Sequence, residues 1–276
     1  MGVAIVGAGN LGGAVAAGLV ASGTVDASAL RCVTRTEGGA TRLRGRLADV
    51  PGGADVVVTT DAVAAVDGAE VVMLGVKPYA ILDVLRELRP RLAPGVTLVS
   101  LAAGVGLDDL VASAPAGAQV VRLMTNTPVR VRAAVSLVAA APGTDAVAVA
   151  RVVGLADALG TTHVLDESLF DAATALAGSG PAYVFLLVEL LRDAGVALGL
   201  EAHAALAMAR GMVDGAARLL VTSGDDPGAL RRAVTSPGGM TAAAIAVLED
   251  AGLRDTVAQA LAAAVARAAE LAAPPA

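Results

Sequence analysis

The fold is decided by the stretch Ala4-Ile5-Val6-Gly7-Ala8-Gly9-Asn10-Leu11-Gly12-Gly13, close to the start of the sequence. The β-branched run Val3–Val6, which overlaps it, predicts a short buried strand. Glycines interrupt this run, and the small and apolar residues 14–20 after them predict a helix. Strand, glycine turn and helix in this order predict a dinucleotide-binding unit, because this is the context that gives Gly-x-Gly-x-x-Gly a structural meaning.

Each glycine of the motif has its own predicted role. Gly7 would allow a tight turn, and Gly9 would let the backbone approach a pyrophosphate. Gly12 would let the helix pack closely on the strand, with the diphosphate at the helix N-terminus. The motif alone would be weak support in a chain with 32 glycines, so the flanking strand and helix carry the prediction.

The length of 276 residues and the composition indicate a cytoplasmic protein of one large or two smaller domains. A net charge of −6 and a pI of about 4.9 leave no basic footprint for nucleic acid. Residues 1–25 carry no charged side chain, but their dense glycines argue against both a signal peptide and a membrane helix. Aromatic residues make up 1% of the chain, so Val, Leu and Ala must fill its cores, which favours close helix packing and large subunit contacts. The single cysteine, Cys32, excludes an internal disulfide and is interpreted as a small apolar core residue.

A second strand is predicted at Leu30–Val33, and it ends in Thr34-Arg35-Thr36. A Rossmann unit contacts the adenosine ribose at this point. Two hydroxyls and a guanidinium suit the 2′-phosphate of NADPH, whereas an NADH site usually has Asp or Glu there. Glu37 lies too far along to be the obvious ribose acceptor. The alternative is that Arg35 is a solvated surface arginine.

Further strands are predicted at 55–59, 71–76, 97–101, 119–124 and 134–140, with a helix at 145–159 and a last edge strand at 161–165. The strand at 71–76 runs into Gly75-Val76-Lys77-Pro78. Lys77 is the only lysine of the chain, and it follows a strand at the edge where ligands bind in open α/β sheets. The alternative is that this lysine survives by chance. Asn126, before a Thr-Pro step, is either a turn former or a polar group that points into the cleft.

The second half of the chain is predicted to be helical, over about 168–177, 182–198, 203–222, 241–248 and 254–272. A domain boundary is therefore placed after residue 162, between a dinucleotide-binding domain (1–162) and a helical domain (163–276). The run Val184–Leu191 is apolar nearly all round, which predicts a subunit interface because a small domain could hardly cover it. The alternative is an ordinary interior helix.

Two glycine-rich loops are predicted between these helices, at Ala177–Tyr183 and at Val234–Thr241. Free N–H groups at a helix start, beside hydroxyls, make a seat for a carboxylate. The alternative is that both are helix caps, although a cap needs a single Ser or Thr.

Six motifs together carry a resemblance to a known family, namely Gly7–Gly12, Val76-Lys77-Pro78, Ser100-Leu101-Ala102-Ala103-Gly104, Asn126-Thr127-Pro128, Gly178-Ser179-Gly180-Pro181-Ala182-Tyr183 and Ser236-Pro237-Gly238-Gly239. On these motifs, and along nearly its whole length, the chain resembles the pyrroline-5-carboxylate reductase family. The resemblance implies an α/β fold, with an N-terminal Rossmann-like domain and a C-terminal all-helical domain that dimerises, and dimers that often assemble into rings.

The resemblance also implies reduction of 1-pyrroline-5-carboxylate to L-proline with NADPH, with NADH as the alternative cofactor, and no metal site. The implied cofactor contacts are Gly7, Ala8, Gly9, Asn10, Leu11, Gly12, Thr34, Arg35, Thr36, Gly75, Val76, Lys77, Pro78, Leu101, Ala102, Ala103 and Asn126. The implied substrate contacts are Glu167, Ser179, Gly180, Ser236, Gly238, Gly239, Met240 and Thr241. Three positions depart from the family pattern, namely Ala62, Thr125 and Ala233.

Thr241 is the predicted catalytic residue, as a hydrogen-bond donor to the ring nitrogen. A threonine hydroxyl is a poor acid, so positioning or relay is expected rather than tuned acid catalysis. Neither His163 nor His203 lies in a motif. A hydroxyacid dehydrogenase would want a lysine in the central helix, which this chain lacks, and an inactive dinucleotide-binding regulator or a reductase of a related cyclic imine remains open.

Overall fold

The computed structural model describes the backbone of residues 1–272 and the side chains of residues 1–270. The chain divides into two compact units. The first comprises Met1–Ser179 with residues 264–272, and the second comprises Gly180–Ala263. The boundary predicted after residue 162 stays a prediction about functional domains.

The first unit is built on one eight-stranded sheet, with the strand order β3-β2-β1-β4-β5-β6-β7-β8. The strands are β1 (Val3–Val6), β2 (Leu30–Val33), β3 (Val57–Thr59), β4 (Val71–Leu74), β5 (Thr97–Ser100), β6 (Gln119–Met124), β7 (Ala134–Ala140) and β8 (Gly160–Val164). Strands β1 to β6 are parallel, β7 is antiparallel to β6, and β8 is parallel to β7. The first six strands follow the Rossmann order 3-2-1-4-5-6, so the predicted α/β class is confirmed.

The helices are α1 (Asn10–Ala21), α2 (Glu37–Ala48), α3 (Ala62–Val66), α4 (Ile81–Leu88), α5 (Leu107–Ser113), α6 (Ala146–Asp157), α7 (Phe170–Ala173), α8 (Gly180–Ala197), α9 (Ala202–Ser223), α10 (Pro227–Ala233), α11 (Met240–Asp250) and α12 (Leu253–Ala272). Helices α1 to α6 cross between or flank the strands, and α8 to α12 confirm the helical second half.

Two hydrophobic clusters, which include side chains from opposite faces of the strands, form the core of the first unit. Along β1, Val3 and Ile5 belong to one cluster, and Ala4 and Val6 belong to the other. This alternation is the period-2 pattern of a strand buried on both faces. Burial raises the pKa of the Cys32 thiol to about 12, so this cysteine is a packing residue, as predicted.

The predicted loop at Ala177–Tyr183 is wrong. Residues 174–178 form a π-helix, in which the Ser179 N–H donates to the Thr174 carbonyl at 3.1 Å, and α8 begins at Gly180. Gly178 is needed for packing rather than for a turn, because a Cβ there would lie 2.9 Å from the Met124 Sδ. A π-helix continues the chain with i→i+5 bonds, so no open helix start exists here.

Helix α8 has no buried residue, although it is among the most apolar segments. Phe185 is 59% exposed and Leu190 is 58% exposed. The alternative that α8 is an ordinary interior helix is therefore wrong within a single chain. The apolar surface of α8 is not covered by the residues of the chain that the structure describes. The stretch Glu167–Ala197, which contains an 18-residue window with a mean hydropathy of 1.5, is also long and apolar enough to cross a membrane by length and composition. Those two criteria are weak support for a membrane span.

Candidate active site

The glycine loop between β1 and α1 has the geometry that the motif predicts. Gly7 has a φ of +93°, and a Cβ there would lie 2.6 Å from the backbone of Gly75 and of Val76. A Cβ at Gly12 would lie 2.7 Å from the Gly7 carbonyl oxygen. Both positions therefore admit only glycine for reasons within the protein.

Gly9 is different, because a Cβ there would meet only the Gly7 oxygen, at 4.0 Å. Its lack of a side chain leaves the outer face of the loop open rather than relieving an internal clash. This is the property that a close ligand requires.

The start of α1 offers a cluster of open donors. Gly9 is the N-cap residue, and no side chain caps the helix. The N–H groups of Asn10, Leu11 and Gly12 lie in the first turn, where an α-helix provides no carbonyl partner. The Ala8 N–H is not available, since it donates to the Val33 carbonyl at 2.8 Å. This helix start can therefore bind an anion through three successive N–H groups.

The loop after β2 presents one unpaired cation. Arg35 is exposed and has no hydrogen-bond or ion-pair partner among residues 1–272. Thr34 is buried and donates to the Thr36 carbonyl at 3.1 Å, and the Thr36 hydroxyl caps α2 by accepting from the Gly39 N–H at 3.2 Å. Of the three predicted phosphate contacts, Arg35 is the one whose polar group is uncommitted.

The ends of β1 and β4 meet at this edge of the sheet. The Gly75 N–H donates to the Val6 carbonyl at 2.7 Å, and a Cβ at Gly75 would lie 2.9 Å from the Gly7 oxygen. Lys77 follows as an exposed residue before a short 3₁₀ turn that begins at Pro78. Because the strand order reverses between β1 and β4, this is the crevice where doubly wound sheets bind ligands.

The three predicted cofactor contacts after β5 differ in their exposure to solvent. Leu101 and Ala102 are buried, whereas Ala103 is exposed. The Ala102 N–H donates to the Ser100 hydroxyl at 3.3 Å, so it is engaged within the loop. Ala103 is thus the member of the three that is placed to meet a ligand.

Asn126 has a structural explanation. Its side-chain amide donates to the Ala177 carbonyl at 2.9 Å, and its carbonyl oxygen accepts from the Val135 N–H at 3.1 Å. The residue is 6% exposed. Both ends of the side chain are therefore satisfied inside the first unit, which leaves little for the predicted cofactor contact.

Glu167, a predicted substrate contact, is likewise engaged. One carboxylate oxygen accepts from the Leu107 N–H at 2.7 Å and from Arg122 Nη1 at 2.8 Å. The Arg122 guanidinium is 4.2 Å from the centre of the Phe170 ring. This cluster ties the segment after β8 to β6, and removal of Glu167 would take the shortest ion pair away from the buried Arg122 guanidinium.

This cluster has a signal in the sequence. Arg122 lies in the middle of the apolar strand 119–124, and an arginine that is almost never buried alone requires a carboxylate partner. Its partners are Glu167 and Asp171, and the Asp171 carboxylate lies 3.9 Å from the Arg122 guanidinium.

In the second unit, the loop before α11 is confirmed as an open helix start. Ser236-Pro237-Gly238-Gly239 forms a turn in which the Gly239 N–H donates to the Ser236 carbonyl at 3.0 Å. Gly238 has a φ of +70°, which is the pattern of a type II turn with Pro at its second position. Helix α11 then begins at Met240 with no side-chain cap, and Met240 and Thr241 are exposed in its first turn. Uncapped first-turn N–H groups and the exposed Thr241 thus lie at the same helix start.

Comparison with known proteins identifies the family. A family model described as "Pyrroline-5-carboxylate reductase dimerisation" matches residues 167–271, and one described as "NADP oxidoreductase coenzyme F420-dependent" matches residues 2–104. The pyrroline-5-carboxylate reductase of Corynebacterium melassecola is 38% identical over 255 residues, which cover 91% of this chain and 92% of that protein. The chain belongs to the pyrroline-5-carboxylate reductase family.

Other members of the pyrroline-5-carboxylate reductase family agree over the same extent. The Arabidopsis thaliana reductase is 37% identical over 269 residues, covering 98% of this chain and 95% of that protein. The solved reductase of Coxiella burnetii superposes with a TM-score of 0.89 at 33% identity, covering 99% of this chain and 98% of that one. The family's dimerisation region includes α8 to α11, so the uncovered apolar surface of α8 lies in the region that the family uses for assembly.

Proposed function

We propose that this chain reduces 1-pyrroline-5-carboxylate to L-proline with a hydride from NADPH, as the last step of proline biosynthesis. The observation that carries the proposal is the uncapped start of α11 after Ser236–Gly239, found in a member of the reductase family. A carboxylated ring needs an anion seat and a donor for its nitrogen, and this helix start offers both.

The substrate carboxylate is proposed to bind the N–H groups of the first turn of α11. Both glycines shape the loop before α11, since Gly238 has a φ of +70° and a Cβ at Gly239 would lie 2.5 Å from the Ser236 Oγ. The Thr241 hydroxyl then donates to the ring nitrogen. The reaction adds a hydride to the imine carbon and a proton to the nitrogen, and it converts NADPH to NADP⁺.

The dinucleotide is proposed to bind the first unit, with its diphosphate on the N–H groups of Asn10, Leu11 and Gly12. NADPH is preferred over NADH because Arg35, the uncommitted cation after β2, suits the 2′-phosphate. Glu37 does not compete as a ribose acceptor, since its carboxylate oxygens face Thr60 at 3.2 Å and Arg44 at 3.9 Å. When bound, the cofactor supplies the hydride, and the chain supplies binding and orientation.

The working form is proposed to be a cytoplasmic homodimer or a larger homo-oligomer, with a small-molecule substrate and neither nucleic acid nor membrane as partner. Exposed large apolar side chains on α8 support assembly, and the net charge of −6 gives no attraction to nucleic acid.

A second candidate is an inactive dinucleotide-binding regulator, favoured by the departures at Ala62 and Ala233. The test follows NADPH oxidation with and without 1-pyrroline-5-carboxylate. Imine-dependent oxidation that yields proline is expected. NADPH binding without oxidation would favour the regulator. Oxidation only with other cyclic imines would assign a different substrate to the enzyme.

A further inference from the structure

Gly13 is a glycine that the dinucleotide motif does not require. It is buried inside α1, where glycine is less favourable than alanine. A Cβ at this position would lie 3.0 Å from the Arg46 Nη2 and 3.0 Å from the Leu43 Cδ1, both of which belong to α2. Gly13 therefore leaves the room that a guanidinium from the neighbouring helix occupies.

Arg46 uses that room to reach the glycine loop. It lies in the last turn of α2, and its Nη2 donates to the Gly9 carbonyl at 3.2 Å. The same carbonyl accepts from the Gly13 N–H at 3.0 Å. Arg46 forms no ion pair within the described part of the chain, so its charge remains available to the loop.

The Gly9 carbonyl belongs to the same peptide group as the Asn10 N–H, which is the first open donor of α1. A cation at the carbonyl oxygen polarises the peptide group and strengthens its N–H as a donor, because linked hydrogen bonds reinforce one another. The charge also adds to the positive end of the helix dipole. The bond to Arg46 holds the loop in the conformation that presents this donor.

We infer that Arg46 is a positioning residue for the cofactor diphosphate and that Gly13 is a glycine in order to admit it. The inference rests on the proposed function only in that the glycine loop binds a dinucleotide. Arg46 and Arg35 then have separable effects, since the diphosphate is common to both cofactors and the 2′-phosphate is not. Loss of Arg46 lowers the affinity for NADPH and the affinity for NADH by the same factor.

The test compares Arg46→Gln with Arg44→Gln. Both remove one charge from α2, but the Arg44 guanidinium donates to the Val58 carbonyl at 2.7 Å, away from the loop. Fluorescence titration of the full chain should show both cofactors bound about 3- to 10-fold more weakly by Arg46→Gln. Arg44→Gln should bind them as the wild type does. Wild-type affinity in Arg46→Gln would overturn the inference.

Two further variants separate charge from packing. Arg46→Lys keeps a cation beside the loop and should retain most of the affinity, so a loss equal to that of Arg46→Gln would overturn the electrostatic account. Gly13→Ala should weaken the binding of both cofactors in the wild-type background. In the Arg46→Gln background it should cause little further loss of affinity, as expected for coupled residues. Full additivity would overturn the role assigned to Gly13.

The result also distinguishes this inference from the proposed function. If the wild-type chain bound neither cofactor, both would fall together. If it bound NADPH and oxidised it with the imine, while Arg46→Gln bound both cofactors normally, only the role of Arg46 would fall.

Discussion

The two units of this chain differ in how they bury apolar side chains. The first unit encloses a Val, Leu and Ala core on both faces of its sheet. In the second, Ala205 and Ala209 are the buried hydrophobic residues, and large apolar side chains of α8 are exposed. One chain thus completes the core of the first unit but not that of the second. Dinucleotide binding and assembly are accordingly expected to respond to different substitutions.

The largest effect is expected from a charge on the uncovered helix. Leu187 is 47% exposed in the single chain, and Leu187→Asp would place an unpaired carboxylate in the proposed subunit interface. We expect a penalty of about 3 kcal/mol or more, which weakens the dimer by at least roughly 100-fold. Light scattering of the purified protein measures this.

The matched control is Val147→Asp, at a 63% exposed position of α6 in the first unit. It should leave the assembly unchanged. A Leu187→Asp protein that remained a dimer of wild-type stability would show that α8 is not the interface, and the contrast between the two units would lose its explanation.

The next effect separates folding from binding inside the first unit. Gly7→Ala meets both a positive φ and the backbone of Gly75, so it should lower the free energy of unfolding by about 3 kcal/mol. Gly9→Ala meets no such contact, and it should unfold like the wild type yet bind NADPH weakly. Thermal unfolding and cofactor titration of both variants measure the two effects. Equal stability of the two variants would contradict the clash at Gly7.

Arg35→Ala tests whether nucleotide choice resides in the first unit alone. Loss of a hydrogen bond to a charged group should weaken NADPH binding by roughly 10- to 100-fold and leave NADH binding nearly unchanged. The dimer should persist, because Arg35 lies far along the sequence from the dimerisation region, residues 167–271. Equal losses for both cofactors, measured by titration, would remove the 2′-phosphate assignment.

Among the effects that bear on this contrast between the two units, the smallest is expected at the start of α11. Thr241→Val keeps the shape of the side chain and removes its donor, which should slow kcat by about 5- to 100-fold. Thr241→Ser keeps the donor and should be close to wild type, and neither variant should change NADPH affinity. Full activity in Thr241→Val would make the hydroxyl a bystander, and the proton would then come from water or from an already protonated imine.

The sheet could be predicted from the sequence because its strands are local signals. Each strand of the first unit was visible as a β-branched or apolar run, and the start of β1 at Val3 and of β2 at Leu30 agree with the prediction. Buried parallel strands are nearly continuous apolar runs, so period and length suffice. The turn at Gly238 was likewise predictable, since Pro-Gly before a helix has a specific geometry.

Prediction from the sequence was wrong where a glycine could serve either close packing or a turn. Gly178 and Gly238 lie in similar small-residue contexts, yet the first packs on Met124 within a helix and the second turns the chain. Only the long-range contact distinguishes them. The same holds for Asn126, whose amide is used up by backbone groups of β7 and of residue 177. Helix α10 was missed because its seven residues are too few for a periodic signal.

The position of β1 in the sheet has a consequence for synthesis on the ribosome. This strand is paired on one side by β2 and on the other by β4, so it is central although it is made first. At about 5–20 residues per second, Leu74 at the end of β4 is added roughly 3–14 s after Val6. During that interval the backbone N–H and C=O groups along one edge of the nascent strand have no strand partner. We expect early chaperone engagement, and a dependence of soluble yield on translation speed over the codons that precede β4.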